Sequence, residues 1–169
     1  MAVIAGYMVP HPPIAVHEIG RGEEKKIQAT LDAFREVAED IAALKPETIL
    51  VTSPHALMYR DYFHISPGTH AVGDFRRFGA GKVRFSVDYD NELADAVSEA
   101  ADEAAFPAGT MGERDPQLDH GTMVPLYFIN QCYRDYRLVR IGLSGLPLRS
   151  HWEFGKLIRK AVDRTGRRC

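Results

Sequence analysis

Cysteine is almost missing from this chain of 169 residues: only Cys132 and the terminal Cys169 are present, with no C-x-x-C pair and no disulfide-scaffold spacing. That argues against a thiolate zinc site and fits a reducing, cytoplasmic compartment. An excess of charge of one sign is missing too, since 21 Lys and Arg stand against 23 Asp and Glu, a net of −2 with histidines neutral. Such a balance gives no footprint for nucleic acid or an anionic membrane surface and leaves a small molecule as the default ligand. No apolar run approaches the ~20 residues needed to span a bilayer. The apolar start, Met1 to Val9, lacks a basic leader region and runs into Pro10-His11-Pro12-Pro13, so it reads as a buried strand, not a signal peptide, in a soluble protein. Internal repeats and low-complexity tracts are absent as well.

What is present is enough apolar residue, 45%, for one domain with a substantial core and too little length for two. Ala2 to Val9 predicts a strand with His11 at its end. Ile27, Leu31, Phe34, Val37, Ile41 and Leu44 recur every three or four residues and predict an amphipathic helix stopped by Pro46. Thr48 to Thr52 is a β-branched strand ending at Ser53-Pro54-His55. Together these read as a βαβ unit, whose right-handed crossover makes its two strands parallel and places His11 and His55 at the same C-terminal sheet edge. Ligands bind at that edge in open α/β sheets. Tyr62 to Ile65 and Val83 to Tyr89 predict further strands, with the glycine-rich stretch 73–81 as a loop between them. Asp90 or Asn91 caps a helix through Ala105, and a loop over 107–118 delivers Asp119-His120-Gly121 to a helix over 122–133, with Pro125 in its first turn. Leu138 to Leu143 predicts a last strand, and Leu148 to Arg164 a last helix closed by Gly166. The fold expected is α/β, with three layers and a mostly parallel or mixed central sheet between helices.

Three of the seven histidines, His11, His55 and His120, lie in or beside loops next to proline or glycine, where chemistry is usually sited. The other four, His17, His64, His70 and His151, read as surface or packing residues. Neutral imidazole is a good ligand for divalent iron, and two histidines plus a carboxylate on one face leave positions open for substrate and dioxygen. The histidines are identifiable; the carboxylate is not. Glu18 and Asp61 read as solvated loop charges, and Asp119 as a helix cap.

Val9-Pro10-His11-Pro12-Pro13, Ser53-Pro54-His55-Ala56 and the nine residues from Leu118 to Leu126 resemble, in order, the successive motifs of class III extradiol ring-cleavage dioxygenases of the subunit-B type. The likeness is greatest to the dioxygenase-like part of AmmeMemoRadiSam system protein A, and the Memo proteins are related. It implies that His11 and His55 bind ferrous iron, with zinc or another divalent metal as the alternative. It also implies that His120 serves as a substrate-binding and catalytic group, and that the reaction is insertion of both atoms of dioxygen into a catecholic ring.

Members of that family continue past the point matching Cys169 into a further strand, a Ser-Gly-Asp-Leu-Ser-His type motif and a glutamate that completes the metal triad. The resemblance therefore implies a single domain over residues 1–169 that is truncated on its C-terminal side, needs a third ligand from elsewhere, and self-associates through an uncovered sheet edge. The competing expectation is a catalytically inactive metal-binding or assembly module. A zinc hydrolase has less support, because no nucleophile and no H-E-x-x-H helix is present.

Overall fold

The computed structural model describes residues 3–169. In chain order the regular elements are α1 (His17–Gly20), α2 (Gln28–Leu44), β1 (Thr48–Ser53), β2 (Phe63–His64), β3 (His70–Phe75) and β4 (Ala80–Asp88), then α3 (Asn91–Glu103), β5 (Ala108–Gly109), α4 (His120–Cys132), β6 (Arg137–Gly142) and α5 (Leu148–Thr165). On α2 the buried positions Leu31, Phe34, Ala38 and Ile41 follow the helical repeat. The helix ends where Lys45 turns left-handed (φ 49°) ahead of Pro46.

β1 and β6 form the centre as a parallel pair, in register from Thr48↔Arg137 to Ser53↔Gly142. Side chains alternate across a strand, and β6 uses both faces. Leu138 packs with the core residues of α2 and α4, while Val139 and Ile141 pack with those of α3 and α5. Phe34 of α2 stacks on Phe128 of α4 with ring centroids 4.3 Å apart. On the opposite layer, Glu103 of α3 accepts from Lys160 (2.8 Å) and Arg164 (2.9 Å) of α5. Single bridges, Ile65↔Ile141 antiparallel and Tyr89↔Leu138 parallel, join further segments to β6, so the small central sheet is mixed and has helices on both faces.

Three expectations change. The apolar N-terminal run forms no strand over residues 3–9, and Ala2 lies outside the described residues. A strand needs a ladder partner, and among the described residues the backbone bond this segment makes, from Ile4 N–H to the Cys169 carbonyl (2.8 Å), reaches the chain beyond α5 and not a strand. A cavity of about 360 Å³, lined by residues 4–9 on one side and 48–52 on the other, separates it from β1. The first βαβ unit is therefore not formed, and the parallel neighbour of β1 is β6. The glycine-rich stretch is no simple loop either. β3 and β4 make an antiparallel hairpin with alternating burial of Ala71, Gly73 and Phe75. Finally, α4 begins at His120, so Pro125 falls in its second turn.

Asp90 ties the layers together. Fully buried, it caps α3 by accepting from Leu93 N–H (3.2 Å), accepts the Thr48 hydroxyl at the start of β1, and faces Arg167 Nε at 3.0 Å. Asp90→Ala is expected to cost about 3 kcal/mol, because it removes a cap and leaves the guanidinium without its buried partner. Urea unfolding of the two proteins measures this; a change below about 1 kcal/mol would refute the assignment.

Candidate metal centre

Local chemistry sets each of the three loop histidines. His11 lies within Pro10-His11-Pro12-Pro13, where the prolines remove backbone donors and start a short 3₁₀ turn, Pro13–Ala15. His55 follows the end of β1 by two residues, and its N–H donates to Ser53 Oγ (3.1 Å). His120 is the first residue of α4, placed there by the Asp119 cap.

The fold brings these three side chains, and no other histidine, into one cluster. His11 Nε2 and His55 Nε2 are 3.0 Å apart. The His120 ring centroid lies 3.9 Å from that of His55 and 5.9 Å from that of His11. One ring nitrogen from each lies within 4.8 Å of the others. Two imidazole nitrogens at 3.0 Å must either share a proton or point both lone pairs at a cation. Burial pushes the His120 pKa below its ordinary value, and the neighbouring His55 adds to this against the opposing pull of Asp119. A neutral imidazole is the form that ligates metal. The donor set thus fits a divalent cation with affinity for nitrogen, such as ferrous iron or zinc.

Behind the rings lies a brace that sequence reasoning identified only as a cap. Asp119 Oδ1 accepts from Thr122 N–H (3.0 Å) and from the Ser53 hydroxyl, and Oδ2 accepts the Thr122 hydroxyl (3.0 Å). Gly121 makes the approach sterically feasible: a Cβ there would lie 2.4 Å from Ser53 Oγ and 3.1 Å from His55 Cδ2. The carboxylate is committed to these bonds and is not part of the histidine cluster. Glu18 is engaged by the Tyr127 hydroxyl (2.9 Å), and Asp61 is exposed. Among the described residues no carboxylate joins the three imidazoles. Arg140, which the sequence reading missed, is buried on β6; it donates from Nε to Ser66 Oγ (2.8 Å) and from Nη1 to the Gln117 carbonyl (2.6 Å), bracing the loop that leads to His120.

The remaining histidines lie elsewhere. His17 pairs with Glu24 (2.6 Å), His70 with Asp88 (3.2 Å), and His151 packs edge-on against Phe63. His64 is buried with Nε2 unpartnered, and burial pushes its pKa down.

Gly121→Ala should displace the His55 ring and weaken divalent-metal binding about 10–100-fold, as loss of supporting contacts does elsewhere. Competition against a coloured chelator reads this directly, and unchanged affinity would refute the brace. His64 predicts a pH effect. With its folded pKa below the unfolded value of about 6.5, the unfolded chain binds the extra proton between the two. Stability is therefore full above about pH 6.5 and falls as pH drops through that window. Urea midpoints from pH 7.5 to 5 should fall less steeply for His64→Gln; equal slopes would count against this.

Comparison with known proteins bears on the site as a whole. The chain is 38% identical over 171 residues to Protein CA_C1420 of Clostridium acetobutylicum, covering 96% of this chain and 36% of that protein. It is 27% identical over 191 residues to the 2-aminophenol 1,6-dioxygenase beta subunit of a Pseudomonas species, covering 99% of this chain and 59% of the subunit. The chain thus spans less than two thirds of either relative. Residues 5–167, which include all three clustered histidines, match the family described as the catalytic LigB subunit of aromatic ring-opening dioxygenase, and the chain belongs to that family.

Proposed function

We propose that the chain carries the histidine side of a metal centre for extradiol cleavage of a catecholic ring, with His11 and His55 as ligands and His120 as the substrate-facing acid/base group. The convergence of His11 Nε2 and His55 Nε2 to 3.0 Å, with His120 beside them, carries this reading. Ferrous iron, when held there by His11 and His55, would supply the chemistry that lets a diol react with dioxygen. The protein groups do the rest. His11 and His55 offer ring nitrogens from two segments of the chain. His120, held neutral by burial, has a ring nitrogen free to accept a proton from a substrate hydroxyl and return it later.

One observation favours a second reading. Without a carboxylate among the clustered groups of the described residues, the imidazoles bring no negative charge to offset a dication. A metal-binding or assembly module without turnover, of the AmmeMemoRadiSam or Memo type, answers to that donor set. The two readings part in one experiment: anaerobic ferrous titration, then oxygen uptake on a panel of catechols, with His11→Ala and His55→Ala as controls. The dioxygenase reading expects histidine-dependent uptake with ring-opened product, which drops by about 10²–10⁴ in His120→Ala. Metal binding without uptake on any catechol selects the module.

The same proposal includes self-association and a cytoplasmic setting. The outer edge of β1 faces the 360 Å³ cavity instead of a neighbouring strand, and an unpaired edge is a template for another chain. Among the described residues no helix is long and apolar enough to cross a membrane. Sedimentation velocity should show concentration-dependent assembly; a monomer at every concentration would refute it.

A further inference from the structure

Beside the histidine cluster stands an aromatic ring that metal ligation does not use. Phe78 lies at the tip of the β3–β4 hairpin, in the short turn Arg76–Phe78 that Gly79 closes with a left-handed backbone (φ 79°). Its ring centroid is 5.4 Å from that of His120, with the planes at 64°. A single exposed apolar side chain needs no explanation in itself. The placement does: of the turn residues, it is the aromatic one that reaches the histidines, and it remains 37% exposed there.

The ring is held firmly enough to act as a surface. Phe78 rests edge-on against Phe75 at 6.3 Å, and Phe75, itself fully buried, packs against Phe85 at 5.4 Å. A register shift between Asp74 and Phe75 bends the hairpin at this point. Below the tip, Asp74 accepts from Arg76 N–H (2.9 Å) and from Arg76 Nε (2.9 Å), which fixes the turn. Phe78 is therefore an anchored ring with one part against His120 and another exposed to solvent.

We propose that Phe78 is a specificity-determining residue of the site, forming the aromatic wall against which a planar ring with adjacent hydroxyls lies while its oxygens face His11, His55 and His120. The inference rests on the metal-centre reading above and adds to it the group that recognises the ring. Aromatic pairs favour offset or edge-to-face contact with centroids about 4.5–7 Å apart, an attraction beyond their shared apolar area. A non-aromatic chelator would gain nothing from it.

The test uses the zinc-loaded protein, where no redox chemistry intervenes, and two probes: 4-nitrocatechol, followed by its absorbance, and acetohydroxamate, a bidentate chelator with no ring. Phe78→Ala, Phe78→Leu and Phe78→Tyr are compared with the wild type, with zinc affinity and thermal unfolding measured for each. Because Phe78 sits at an exposed tip, all three should fold and hold zinc as the wild type does. Phe78→Ala should weaken 4-nitrocatechol by about three- to tenfold and leave acetohydroxamate unchanged. Phe78→Tyr should restore ring binding, and Phe78→Leu only in part. Unchanged 4-nitrocatechol affinity in Phe78→Ala, full recovery by Phe78→Leu, or equal weakening of both probes would overturn the wall. A wild type that binds no zinc would instead overturn the metal-centre reading, and this inference with it, whereas one that binds zinc but neither probe would overturn the wall alone.

Discussion

The Asp119 carboxylate is the constraint on which the site depends. It stands where the end of β1 meets the start of α4, two elements from different layers, and bonds both: the Ser53 hydroxyl from the strand, and the backbone and hydroxyl of Thr122 from the helix. Ser53 in turn accepts the N–H of His55, and Asp119 makes His120 the first residue of its helix. A single acid thus sets two of the three imidazoles relative to each other. A half-buried carboxylate is tolerated where its acceptor sites are filled by hydrogen bonds, and the same bonds keep it from acting as a ligand.

The two helical layers hold that junction in place. Phe34 and Phe128 stack between α2 and α4 and so seat the helix that carries His120, while α3 and α5 cover the opposite face of β6. Arg140 extends from β6 into the first of these layers and fixes the loop ahead of Asp119. The histidine-bearing edge is accordingly supported from the strand below as well as from the helix behind.

Much of this was legible in the residues. Helix periodicity, the caps at Asp90 and Asp119, and the left-handed stop at Gly166 are local effects, and local effects show in sequence. His11 and His55 could be paired because each follows an apolar run and adjoins proline. The two rings do meet, but the strand expected over Ala2 to Val9 is not formed over its described residues, since apolar composition cannot say whether a segment will find a ladder partner. Gly73, Gly79 and Gly81 made the hairpin look like a loop, which hid Phe78. In fact Gly73 is small because Met123 and Leu118 crowd it: a Cβ there would lie 2.5 Å from Met123 Sδ. Arg140 was hidden for a related reason, because a charged residue inside an apolar strand gives no sign of the carbonyl and hydroxyl waiting for it.

The spacing of the histidines along the chain has a thermodynamic consequence. His11 and His55 are 44 residues apart in sequence, and His120 lies farther still, so an unfolded chain seldom gathers the three rings together. A cation held by His11 and His55 would bind the native state almost alone, and its binding energy would become folding energy. At a free concentration one hundred times the dissociation constant, such a ligand adds about 2.7 kcal/mol to stability. That is a sizeable share of the ~5–15 kcal/mol that holds a domain folded. Metal supply would then regulate how much folded protein persists as well as what the folded protein can do.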